Sequence, residues 1–195
     1  MMAVLINALV DLPMPEDAYL GRALIEVTDI QSTPYPGISV VPDRCRATFD
    51  RRLLMGETAE SVLSEIQALV DRLQQQDGNF RVRVEVARAD VTTYTGHRLQ
   101  AAKFAPAWMT DRNHPLVRKA AAGLAGAGIS PRFGTYQFCT NGSYAAVVEG
   151  ITTIGFGPGQ EEQAHTIDEF VTVDQLLQAA AGYAAMARSA GRAVS

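Results

Sequence analysis

A chain of 195 residues with 47% apolar and 19% charged side chains can bury a core as one large domain or two small ones. Its net charge of −4 argues against nucleic acid, whose partners carry clustered Lys and Arg. Its two cysteines, Cys45 and Cys139, stand far apart outside any CxxC spacing, which fits a reducing compartment without a disulfide framework.

Residues 3–12 have helical periodicity and stop at Pro13 and Pro15. This run is apolar, but it has no basic start, Asp11 interrupts it, and no small-residue cleavage site follows, so it does not read as a signal peptide. No segment reaches the roughly 20 apolar residues of a membrane span, and a cytoplasmic protein without a membrane partner is expected. Residues 23–30 and 44–53 alternate as half-buried strands, the second with Cys45, Ala47 and Phe49 on one face. Between them Thr33-Pro34-Tyr35-Pro36-Gly37 marks a turn. Residues 59–75 place Val62, Ile66, Val70 and Leu73 three and four apart, which predicts a helix capped by Thr58. Asp77-Gly78-Asn79 ends it, and Arg81-Val82-Arg83-Val84-Glu85-Val86 is the clearest strand pattern of the chain.

Helix, strand, strand, helix, strand is the order of a ferredoxin-like unit without its first strand. That strand is central, and without it two interior edges lack partners. The expectation is therefore that residues have been lost from the N-terminal side. Residues 1–90 form this first domain and residues 91–195 a second one of different character. There, residues 115–127 read as a helix, 136–139 and 152–155 as short buried strands, and 172–187 as a terminal helix. The apolar side of that last helix is Val173, Leu176, Leu177, Ala180 and Tyr183. Alternating strands and helices imply an α/β layer with a parallel sheet, and ligands bind beyond the carboxyl ends of such strands. Thr140-Asn141-Gly142 and Gly155-Phe156-Gly157 both fall there. The fold class expected is thus mixed, α+β followed by α/β.

Chemistry concentrates near the C-terminus, where Gly155-Phe156-Gly157-Pro158-Gly159 is followed six residues later by His165 among carboxylates. Glycines let backbone approach a ligand closely, and histidine is the commonest metal-binding side chain. A single histidine does not make a catalytic zinc site, which needs about three protein ligands. His97 and His114 have no partners at ligand spacing and read as loop and helix-start residues. Glu161, Glu162, Asp168 and Glu169 read as solvated, with Glu169 also placed to orient the histidine loop. Cys139 reads as a buried small apolar residue rather than a nucleophile.

Several stretches together carry a family resemblance: Ser39-Val40-Val41-Pro42-Asp43-Arg44-Cys45, Asp50-Arg51-Arg52-Leu53 with Gly56-Glu57-Thr58, Phe104-Ala105-Pro106-Ala107-Trp108, Thr140-Asn141-Gly142, and Gly155 through Thr166. In order and spacing they resemble peptidase family M20, the zinc-dependent aminoacylases, acetylornithine deacetylases, succinyl-diaminopimelate desuccinylases and carboxypeptidases of the G type. Within that family they are most similar to the YgeY-like hydrolases. The resemblance implies a two-zinc α/β catalytic domain (cobalt or manganese being alternatives) interrupted by a ferredoxin-like lid that dimerises. It covers only the lid from its first helix onward and the C-terminal part of the catalytic domain. The family's other metal ligands and its general-base glutamate have no counterpart here, so no catalytic residue is expected in this chain.

By the same resemblance His165 is the final zinc ligand. Arg52, thirteen residues after Ser39, is an arginine that reaches across the dimer to a substrate carboxylate. Ser39 stands where many relatives have asparagine. Thr140, Asn141 and Gly142 resemble a carboxylate-binding loop, and Gly155, Phe156 and Gly157 line the same cleft. The expected reaction is hydrolysis of amide bonds in N-acyl amino acids or small peptides, with this chain alone inactive. A non-catalytic dimerisation or small-molecule-binding module is the alternative, and a separate chain supplying the missing ligands is a third.

Overall fold

Apolar side chains recur along residues 2–10, and Pro13 and Pro15 forbid the helix from continuing. They form α1 (Met2–Val10), which buries Leu5 and Leu9. This computed structural model describes residues 1–191 and separates them into two compact units, one of Met1–Ala107 and one beginning at Trp108. In the first unit the short strands β1 (Glu16–Asp17) and β2 (Gly21–Arg22) pair beyond α1. Then β3 (Leu24–Thr33) and β4 (Arg44–Arg52) run antiparallel, from Leu24 opposite Arg52 to Thr33 opposite Arg44, with a bulge between Val27 and Asp29. β3 pairs with β4 alone, and its second edge carries no ladder among the described residues.

α2 (Ala59–Gln76) begins where the sequence predicts. The Thr58 hydroxyl accepts the Ser61 N–H at 3.1 Å, and the Ser61 hydroxyl accepts the Thr58 N–H at 2.9 Å. This reciprocal cap satisfies two helix-end donors. Thr58→Ala removes one acceptor and is expected to cost about 1 kcal/mol, read as a shift of the urea midpoint at unchanged slope. α1, β3 and α2 enclose one core of Leu5, Leu9, Ile25, Leu69, Val70 and Phe80, with Phe49, Val82 and Val84 packed against it.

Arg81–Val86, the clearest strand pattern, forms no strand. Its side chains alternate as expected, Val82, Val84 and Val86 half-buried and Arg81, Arg83 and Glu85 exposed, but no backbone among the described residues pairs with it. A strand needs a ladder, and alternation alone does not provide one. The pairing appears one step later, in β5 (Arg88–Thr92) and β6 (Arg98–Ala102), a hairpin turned at Gly96 with φ 84°. The predicted domain boundary at residue 90 falls within β5.

The second unit is helical. α3 (Pro115–Gly126) starts with Pro115 in its first turn and His114 as cap, the imidazole Nδ1 accepting the Leu116 N–H at 3.2 Å. α4 (Val173–Ala190) starts at Thr172, capped reciprocally with Gln175. The two predicted strands of this half, 136–139 and 152–155, are not strands, and no parallel pairing exists among the described residues. The described sheets are three antiparallel pairs, so the architecture is mixed helix and small antiparallel sheet. α4 also turns a different face inward. Ala179, Gly182 and Ala185 are buried, whereas Leu176, Leu177 and Tyr183 are 47%, 65% and 51% exposed. Small residues win because α3 and α4 approach closely: a Cβ on Gly123 would lie 2.7 Å from the Ala185 carbonyl.

Candidate functional site

In the first unit the candidates are Ser39 and Arg52. Ser39 is exposed, with φ 60°, in the loop between β3 and β4 that contains cis bonds before Pro34 and Pro36. A left-handed backbone is unusual for serine and fixes the direction of the chain there. At the end of β4, Arg51 and Arg52 point to opposite faces because side chains alternate along a strand. Arg51 turns inward, 7% exposed, against the carboxylates of Glu57 and Glu65. Arg52 turns outward, 44% exposed, and pairs loosely with Asp50, Nε to Oδ1 3.4 Å. A guanidinium so loosely held remains available to a ligand carboxylate.

In the second unit an open groove of about 1270 Å³ takes in part of the remaining candidates. Thr140, Gly155, Phe156, Gly157 and Glu169 line it; His165, Asn141 and Gly142 do not. The glycines matter by their missing side chains. A Cβ on Gly155 would sit 2.3 Å from Cε2 of Tyr136, so only glycine lets that ring lie over the loop. Tyr136 stacks on Phe138, centroids 4.9 Å apart, and the pair forms an aromatic wall of the groove. Burial pushes the Tyr136 phenol above its ordinary range, reinforced by Tyr183 and Glu161. Phe156 anchors the loop to α4. Its ring meets Tyr183 edge-on at 5.2 Å, its carbonyl accepts the Tyr183 hydroxyl, and it rests where a Cβ on Gly182 would lie 2.6 Å away.

Thr140-Asn141-Gly142 is a tight turn that leads into the single helical turn Tyr144–Val148. The Thr140 hydroxyl accepts the Gly142 N–H at 3.1 Å, and a Cβ on Gly142 would lie 2.6 Å from Cζ2 of Trp108. Thr140 therefore faces the groove with its hydroxyl already engaged by the turn.

His165 is exposed and left-handed, with φ 63°, and Asp168 repeats that conformation with φ 60°. The Glu169 carboxylate accepts the His165 N–H at 3.0 Å, tying the loop across four residues. Glu169 therefore holds the histidine backbone. Among the described residues no three His, Cys, Asp or Glu side chains converge as a metal site. The chemistry visible here is one exposed histidine held by its backbone, one outward-facing guanidinium and an aromatic groove. Cys45 and Cys139 are unpaired and exposed, so Cys139 is not the buried residue expected.

Sequence reasoning missed Tyr136, Phe138 and Gly182. Tyr136 and Phe138 are separated by one residue, the spacing of one face of an extended segment, and Gly182 interrupts a helix, which asks for a packing reason.

A family model described as Peptidase family M20/M25/M40 matches residues 14–189. Two curated relatives, each called Uncharacterized protein YgeY, come from Escherichia coli strain K12 and Escherichia coli O157:H7. Each is 33% identical over 171 residues, covering 87% of this chain and 41% of the relative. The chain thus spans about two fifths of the length of the curated relatives it matches.

Proposed function

This chain belongs to peptidase family M20/M25/M40, and from that premise we propose that it is one part of a metal-dependent hydrolase of N-acyl amino acids or small peptides. The observation that carries the reading is the tether of His165 by Glu169 beside a groove rimmed by Gly155–Gly157. In this reading His165 presents its imidazole to zinc, or to cobalt or manganese. Arg52 binds the substrate carboxylate, with Ser39 and the Thr140-Asn141-Gly142 turn as further contacts. The first unit forms a homodimer through the open edge of β3, and the protein is cytoplasmic.

One imidazole falls short of the roughly three protein ligands a catalytic zinc requires, and no three candidate ligands converge among the described residues. No hydrolytic step is therefore assigned to this chain alone. Its residues bind, orient and wall the groove.

Zinc titration by calorimetry tests the metal assignment. The chain alone is expected to bind zinc weakly and equally in His165→Ala. Tight binding that the variant abolishes would refute the partial-site reading. Hydrolysis is tested by mixing the chain with the portion of the K12 YgeY protein outside its matched 171 residues. Zinc-dependent turnover of N-acetyl amino acids, lost in His165→Ala, is the expected result. Amino-acid binding without metal dependence or turnover would favour the second reading, a non-catalytic binding module.

A further inference from the structure

We propose that the open groove of the second unit binds an alkylammonium group, held by aromatic rings and by the carboxylates of Glu161 and Glu169.

Three observations carry it. The first is the lining. Tyr136, Phe138, Phe156 and Tyr183 all border the groove, so ring surface is spread along it. Tyr136 and Phe138 stack at 4.9 Å with planes 11° apart, which gives the pair one common orientation. The face of an aromatic ring is negative and attracts a cation.

The second is charge. Of the described side chains that line the groove, only Glu161 and Glu169 carry a full charge, and no Lys, Arg or His is among them. An ammonium therefore meets opposite charge along the groove and no like charge.

The third is placement. Glu161 accepts the Gln137 N–H at 2.5 Å, so its carboxylate is held at the residue between the two stacked rings. Glu169 accepts the His165 N–H at 3.0 Å. Each carboxylate is thus oriented through one oxygen, and its other oxygen has no hydrogen-bond partner among the described residues. The Tyr136 phenol responds to the same surroundings: burial raises it first, then Tyr183 and Glu161.

These terms favour a cation over a neutral apolar ligand of equal shape. The neutral ligand gains only from the apolar area it covers. The cation gains that area together with the ring quadrupoles and the two carboxylates. An alkyl stem completes the match, covering ring surface while the charged head stays at the carboxylates and in contact with water.

The test is a proton NMR titration of the intact chain with choline and with dimethylbutanol, its uncharged carbon isostere. Ionic strength is held equal and no metal is added. The choline methyl protons are expected to shift upfield, as protons over ring faces do. Choline is expected to bind about tenfold more tightly than the alcohol. Glu161→Gln keeps an acceptor for the Gln137 N–H and removes the charge. It is expected to weaken choline about fivefold and to leave the alcohol unchanged. Equal binding of the two probes by the unaltered chain overturns the proposal, and so does the absence of an upfield shift. Choline affinity that Glu161→Gln does not move overturns it as well. Neither metal nor turnover enters the test, so its failure leaves the hydrolase reading standing, and failure of that reading leaves this site standing.

Discussion

Arg51→Met is expected to lower the stability of the chain by about 3 kcal/mol, the low end for breaking a buried ion pair from one side. The guanidinium is 7% exposed and joins the end of β4 to α2, touching Glu57 before the helix and Glu65 within it. Its NH1 approaches Glu65 to 2.7 Å as a charge contact rather than an aligned hydrogen bond, and its Nε has no hydrogen-bond partner. Glu57 is also the acceptor for the Leu54 N–H at 2.6 Å, so its carboxylate shapes the turn between strand and helix. Methionine fills the space but leaves two largely covered carboxylates without their cation. The neighbouring Arg52→Ala removes only an exposed pair at 3.4 Å and is expected to change stability by less than about 1 kcal/mol. Chemical denaturation of both variants decides the point. Replacing Glu57 and Glu65 by glutamine in the Arg51→Met background should restore a large share of the loss. If Arg51→Met were as mild as Arg52→Ala, the ion-pair account would be wrong.

That contrast also shows what the sequence could and could not tell. Adjacent arginines at a strand end look alike in sequence, and only the register of β4 against β3 turns one inward and one outward. Features set by neighbours in sequence were legible. Pro13 and Pro15 bounded α1, Thr58 and Asp77 bounded α2, and His165 with Glu169 fell within one short loop. Features set by distant partners were not. The alternation of residues 81–86 is real, but the ladder that would make it a strand depends on backbone elsewhere. On α4 hydrophobicity pointed to Leu176, Leu177 and Tyr183, whereas the closeness of α3 selected Ala179, Gly182 and Ala185.

Gly155→Ala is the sharper test of the groove. Its added Cβ would stand 2.3 Å from Cε2 and 3.1 Å from Cζ of Tyr136, well inside contact distance. The ring has to move, and moving it breaks the stack with Phe138. Overpacking of this kind costs about 1–3 kcal/mol, and the stack itself about 0.5–1.5 kcal/mol. Near-ultraviolet circular dichroism should show the tyrosine environment change, and the thermal midpoint should fall by several degrees. Tyr136→Ala alone should also destabilise, because the stack is lost. In the double variant the clash has no partner, so the two losses should fall short of additive, a coupling expected only for residues in contact. Additive losses would mean that Tyr136 does not lie over Gly155. The same pair bears on function. If the groove holds a substrate, Gly155→Ala should weaken ligand binding, while Thr58→Ala, which acts on the other unit, should not. Loss of binding in both would trace the effect to stability instead of the site.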